Sequence, residues 1–415
     1  MTGTGVTRRP IVALVAEGFL SRLSFGIVSF ALPLFALRLG MSVAEIGLLV
    51  SFNLIVAVVL KPPMGWVADR FGLRSCLIAA IWLRTLVSLL LVFASAPWQL
   101  FAIRGVHGVS IALRDPAVNA LIADVGGKRA IASSFAWYQT AKTVAGSAGR
   151  TLAGILITIT GSRYPLVFAV ACALSALPLA VVVRGLRAAP IAAGVGGDAD
   201  GMGTAGGARP PIRPYIGLGL LVSGTAYMMA NLFPILATEY AGLSAAAAGS
   251  IYTLGALVAL SGPLWGWLAD RVSHRLVLSV RGFGNIFSSA LWLLFPTYAG
   301  LAAGRALDDL GKAAFRPAWG ALMAHVASFD RPRRARIMGY LSAGEDAGEA
   351  AGPIVAGLLW TAFGIPVVLG VRIGLAICAE VYVLALTRRF GEPTSTSAHA
   401  EPRVGASEAG ARSPV

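Results

Sequence analysis

Apolar residues along this chain alternate neither with the period of a half-buried strand nor with that of a one-sided helix. They come instead in long blocks, from residue 11 to residue 387, separated by short polar gaps. A hydrocarbon slab requires about 20 mainly apolar residues per helical crossing, and the backbone inside it must satisfy its own hydrogen bonds. The pattern therefore predicts an all-α membrane protein. Twelve transmembrane helices are expected at 11–37, 44–67, 76–96, 99–122, 131–159, 164–184, 214–238, 245–268, 276–296, 298–325, 335–362 and 365–387. Residues 188–213 are rich in Gly, Ala and Pro and cannot bury a core, so they read as a flexible linker. The linker divides the chain into two six-helix bundles, 1–187 and 214–390, followed by a polar, disordered tail at 391–415.

Composition agrees with this reading. Of 415 residues, 57% are hydrophobic and only 13% are charged, with a mean hydropathy of +0.76. Soluble chains carry about twice that charged fraction. A net charge of +15 would suggest nucleic acid in a soluble protein, but here the cations fall in alternate short gaps. Arg8, Arg9, Arg70, Arg74, Lys128, Arg129, Arg187, Arg209, Arg213, Arg271, Arg275, Arg331, Arg333, Arg334, Arg336, Arg388 and Arg389 mark one face, and the other offers little beyond Arg38 and Arg163. Short basic loops stay in the cytoplasm. Both termini and the linker are therefore expected inside, in a bacterial inner membrane, with no nucleic-acid partner. The long first apolar run, preceded by Arg8 and Arg9, reads as a span rather than a cleavable signal.

An internal repeat organises the chain. GWVADR at 65–70 returns as GWLADR at 266–271, 201 residues on. Arg104 and the segment Asp115–Leu121 return at the same offset as Arg305 and Arg316–Leu322, and AGRTLAG at 148–154 returns as AGPIVAG at 351–357. Matches in the same order at nearly one spacing predict two halves related by a pseudo-twofold axis along the membrane normal, with a central cavity between them.

The first loop copy, with Gly65, Asp69, Arg70, Gly72 and Arg74, resembles the loop signature of the major facilitator superfamily (MFS) between its second and third helices. The second copy keeps Gly266, Asp270, Arg271 and Arg275, with Ser273 where the family prefers glycine. Arg104 with Gly108 resembles the family's fourth-helix arginine motif. This resemblance implies the MFS fold, transport by alternating access, and a cytoplasmic latch in these loops. Gly352, Pro353 and Gly357 resemble the antiporter glycine–proline motif, but in the eleventh span. The fifth span, where that motif belongs, has Gly149 and Arg150, which leaves efflux only a modest preference.

Charges inside the membrane cost roughly 2.5–3.5 kcal/mol each on insertion scales, so each is a functional candidate. The candidates for solute binding or coupling are Glu17, Arg22, Arg104, Lys142, Arg150, Asp308, Asp309, Glu345 and Glu349. Arg305 with Asp309, and Asp308 with Lys312, sit four apart and are positioned to neutralise one another. Lys142, Gly146 and Arg150 form one stripe, and the repeat makes Lys142 equivalent to Glu345 and Gly146 to Glu349. A cation–carboxylate contact between the halves is therefore expected in one state. Proton coupling requires a carboxyl that protonates on burial, and Glu17, Asp309, Glu345 and Glu349 are its candidates. Gly344, Gly348 and Gly352 recur every four residues as a flat packing face.

Other chemistries find little support. Cys76, Cys172 and Cys378 stand alone, the four histidines lack ligand spacing, and no phosphate-binding loop or nucleophile constellation is present. No cofactor, metal or enzyme activity is expected. The sequence points to a monomeric secondary transporter of a small solute, with protons as the expected coupling ion; the alternatives are uptake of a small charged metabolite, or a non-transporting sensor on the same scaffold.

Overall fold

The computed structural model describes residues 8–185, 212–262, 264–265, 268, 274–328 and 334–390. Twelve helices are assigned among them: α1 Arg8–Arg38, α2 Val43–Phe71, α3 Leu73–Phe93, α4 Pro97–Ile159, α5 Tyr164–Gly185, α6 Ile212–Tyr227, α7 Phe233–Ile235, α8 Ala245–Ala259, α9 His274–Leu294, α10 Tyr298–Ser328, α11 Arg334–Phe363 and α12 Ile365–Phe390. The expected linker and tail fall almost wholly outside the described residues, and α6 begins two residues before the expected start of the second bundle.

Helices and expected spans do not correspond one to one. The 63 residues of α4 would reach about 95 Å if straight, about three times the hydrocarbon thickness. Its neighbours show a reversal instead. Arg104 meets Leu49 and Val50 of α2, and Gly108 meets Asn53 and Val56, so this part runs parallel to α2. Further on, Tyr138 lies against Gly18 and Gly149 against Gly26, so the later part runs parallel to α1 and opposite to the first. The helical stretch thus supplies both the fourth and the fifth span, its neighbours reversing between Gly108 and Tyr138. The seventh span is broken, where a continuous helix was expected at 214–238. Residues 228–232 form turns, α7 is one short turn, and Leu236–Tyr240 is a π-turn. Pro234 has no N–H to donate back into the preceding turn, which favours the interruption there.

Five described segments are long and apolar enough on their own to cross a membrane: Val12–Arg38, Val43–Lys61, Leu73–Phe93, Tyr164–Gly185 and Ile365–Leu386. The helices that fail that test by composition carry charges that the fold turns inward. Arg104, Arg114, Arg281, Arg305 and Asp308 are all buried, while Trp82, Phe93, Phe287 and Val381 are exposed on the lipid-facing periphery.

The core shows how the halves meet. One large apolar cluster takes residues from both, including Phe30, Phe35, Ile46, Phe168, Phe233, Tyr252 and Trp292. It lies toward the face that carries the short connections 39–42, 160–163 and 241–244. The other three clusters each stay within one half. At the shared face two glycine contacts bring backbones of opposite halves together. Gly357 of α11 lies against Val43, Ala44 and Gly47 of α2, and Gly154 of α4 lies against Ala245 and Gly249 of α8. Ala44 N donates to Thr361 Oγ1 at 3.0 Å and Ala246 N to Thr158 Oγ1 at 3.1 Å, sealing the same two seams. Within each half, Gly149 packs on α1, and the expected ridge Gly344, Gly348 and Gly352 packs on α6. Small residues let helices approach where lipid supplies no hydrophobic drive.

Candidate functional site

The charged groups sort into three settings. In the N-terminal half, Glu17 is fully buried. It accepts from Arg114 at 2.8 Å and 2.9 Å through Nη2 and at 3.1 Å through Nε, and from Ser21 Oγ at 2.8 Å. Arg114 also donates to Tyr138 Oη at 2.8 Å. The carboxylate is thus a satisfied clamp joining α1 to both limbs of α4. Arg104 bonds only within its half, to Leu49 O at 3.2 Å, Val50 O at 2.6 Å, the Asn53 side chain and His107. It pins α4 to α2, and no solute has to be invoked to explain its burial.

In the C-terminal half, Asp308 is a hub. Lys312 lies 2.6 Å from it, Arg372 2.7 Å and Arg281 3.3 Å. Asp309 pairs with Arg305 at 3.0 Å and Lys312 at 3.2 Å. Arg372 also donates to Ser288, Ser289 and Asn285 of α9 and to Thr225 O of α6. The i,i+4 spacing made the Asp308–Lys312 and Arg305–Asp309 contacts legible. Arg281, Asn285 and the role of Arg372 were missed, because partners on other helices leave no mark in local spacing.

The third setting is the zone where the two halves face each other, the place of the expected central cavity. Arg22 lies over Gly146, its guanidinium 4.7 Å from the Phe25 ring. Lys142 lies 5.1 Å from the Tyr138 ring. Arg150 donates to Ser29 Oγ at 3.3 Å and sits 5.1 Å from the ring of Tyr252 in the other half. Arg305 approaches the same Tyr252 ring at 4.6 Å. From the C-terminal half, Glu345 accepts from Trp319 Nε1 at 3.2 Å, and Glu349 has no ion pair or hydrogen bond among the described residues. Arg22 and Glu349 sit close enough across the cavity to feel each other's charge, with Tyr227 and Arg316 nearby.

Lys142 and Glu345 do not meet. The expectation of a contact rested on repeat equivalence, but a pseudo-twofold axis sets equivalent residues on opposite walls of the cavity. Contact follows α2 with α11 and α4 with α8. Among the described residues, the ion pair that spans the halves is Lys61 with Asp346, at 3.3 Å.

In the loop motifs, Gly72 is the single residue between α2 and α3, at φ 84°, a conformation that favours glycine. Arg70 is exposed, and Arg74 Nη2 donates to Val183 O of α5 at 3.3 Å. Gly65 and Asp69 have helical backbone, but the side chain of Asp69, that of Arg275, and residues Gly266, Asp270 and Arg271 lie outside the described residues.

Known proteins agree with this architecture. Several solved transporters share the fold. The nucleoside transporter NupG gives a TM-score of 0.71 at 16% identity, over 92% of this chain and 99% of that one. A bacterial homologue of the human lysosomal transporter Spinster, solved inward-facing and occupied, gives 0.71 at 16% identity over 94% and 98%. In sequence, a Citrobacter koseri protein provisionally named multidrug resistance protein MdtD is 30% identical over 145 residues, 35% of this chain and 31% of the relative. The match thus spans about a third of that relative's length. The sequence profile of the Major Facilitator Superfamily matches twice, at 17–214 and 215–413, once per bundle. The chain belongs to the Major Facilitator Superfamily of membrane transporters.

Proposed function

We propose that this protein moves a small solute by alternating access, coupled to protons, and that the structure is its state open toward the cytoplasm. One observation carries the reading: the halves share a core at the face of the short loops, while the remaining cores are separate. A static bundle has no need of that asymmetry; two bodies rocking about a central site do. The positive-inside pattern makes the separated face cytoplasmic, with both termini on that side of a bacterial inner membrane. The protein acts as a monomer and needs no cofactor. Efflux is favoured over uptake, supported by the name of the MdtD relative.

Glu349 is the proton carrier in this reading. Glu17 and Asp309 are held by short ion pairs, whereas Glu349 stands half-buried with no partner among the described residues. The test is transport by purified protein in liposomes carrying a pH-sensitive dye, with a panel of drugs and metabolites under an imposed pH gradient. Solute-dependent proton movement is expected, and is expected to vanish in Glu349→Gln while the variant stays folded. Coupling that survives in Glu349→Gln would overturn the assignment of the proton. No solute-dependent flux across the panel would overturn transport itself.

A further inference from the structure

The cations of the N-terminal wall are arranged as one continuous ladder. Lys142, Gly146 and Arg150 lie one turn apart on the second limb of α4, and Arg22 of α1 lies over Gly146 and fills the gap. Three positive side chains thus stand in a row along the cavity. None of them contacts a carboxylate among the described residues: Arg22 rests on Phe25, Lys142 on Tyr138, and Arg150 on Tyr252 and the Ser29 hydroxyl. An aromatic face holds a cation in place but takes few of its hydrogen-bond donors, and a guanidinium has five. The contrast within the same protein is sharp. Arg114, Arg281, Arg305 and Arg372 are each given a carboxylate. The three ladder cations are half-buried, while the carboxylate-paired arginines are buried inside a bundle, as are Arg84 and Arg104, which reach backbone carbonyls instead.

Unneutralised charge at membrane depth is costly, and such residues mark substrate pathways. The opposite wall does not neutralise the ladder. Glu349 faces Arg22 but Arg316 as well, Asp309 near Arg150 is taken by Arg305 and Lys312, Asp115 near Lys142 lies beside Arg114, and Glu345 is turned to Trp319. The region therefore keeps an excess of positive charge, with half-buried aromatic rings beside it at Phe25 and Tyr227.

We propose that this ladder is the binding site for the negative group of the solute, and that the solute is an organic anion: a carboxylate, sulfonate or phosphate on an aromatic or apolar body. The assignment rests on the transporter reading above and narrows it. The anion bridges Arg22 and Lys142 or Arg22 and Arg150, and completes the donor sets that the protein leaves open. The aromatic faces take its body. Rocking between states carries the anion with the wall that holds it.

The test uses two dyes on one xanthene framework: fluorescein, a dianion at mildly alkaline pH, and rhodamine 6G, a cation. Full-length protein in liposomes should show saturable fluorescein transport and no saturable rhodamine 6G transport. Arg22→Gln and Lys142→Gln should each weaken the apparent affinity for fluorescein about tenfold or more, the loss expected for one charged hydrogen bond. Lys142→Arg keeps the charge and should stay within about threefold. That variant guards against misfolding, because a merely structural lysine would tolerate Gln and Arg alike. Saturable transport of rhodamine 6G without fluorescein would overturn the anion site and leave transport standing. Unchanged fluorescein affinity in both Gln variants would also overturn the site, and movement of neither dye by protein that transports another solute of the panel would overturn the anion site alone.

Discussion

Replacing Asp308 by Asn is a severe test of the buried network in the C-terminal half. The carboxylate is 1% exposed and faces three cations at 2.6–3.3 Å from three helices, α9, α10 and α12. Asparagine keeps the shape and one acceptor but removes the charge. Arg372 and Arg281 are 0% and 2% exposed, so neither reaches water to compensate. Asp309 is already engaged by Arg305 and Lys312. Breaking a buried pair by removing one partner costs about 3–5 kcal/mol, and Asp308→Asn should fall in that range. Lys312→Met is the control. The lysine side chain is 28% exposed and leaves Asp308 its two arginines, so a loss of about 1 kcal/mol is expected. Reversible unfolding in mixed micelles measures both. The double variant Asp308→Asn with Arg372→Gln should lose less than the sum of the singles, because each single change strands the other group. A loss below about 1 kcal/mol for Asp308→Asn, or strict additivity in the double variant, would refute the hub.

Other outcomes follow from the same geometry. Gly154→Val puts a branched side chain against the α8 backbone at Ala245 and Gly249. Overpacking of about 1–3 kcal/mol should shift the population toward outside-open by roughly five- to 150-fold, read as faster external labelling of a cysteine at Thr253. Lys61→Ala removes a pair whose side chains are about one third exposed, so stability should change by less than about 1 kcal/mol while the balance between states becomes salt-independent. Tyr252→Leu keeps an apolar plug but removes the ring shared by Arg150 and Arg305, and should make the closed face leak protons in liposomes.

The sequence carried the long-range plan of this protein better than its chemistry. Span positions follow from block length, and the halves from the 201-residue offset, because both are written linearly along the chain. The Gly344, Gly348 and Gly352 face was legible for the same reason, since a four-residue period is a helix face. The break at 228–232 was not, because one proline within an apolar run leaves the hydropathy unchanged. Glu17 and Glu349 look alike in sequence, each an acid in an apolar helix. Only packing separates them, by bringing Arg114 to the first and, among the described residues, no partner to the second. The same holds for Lys142 and Lys61. Equivalence under the repeat drew attention to the first, whereas the seam between α2 and α11 gives the second its partner across the halves.

The central claim, two rigid halves that exchange a closed face for an open one, is tested most directly by paired spin-label distances in lipid nanodiscs. After removal of Cys76, Cys172 and Cys378, one pair at Ala44 and Thr361 reports the seam between the short-loop ends of α2 and α11, and another at Phe71 and Tyr340 reports the opposite face. Changing pH or adding a transported solute should lengthen the first distance while shortening the second. Distances that stay fixed under all conditions, or that lengthen together, would contradict the account.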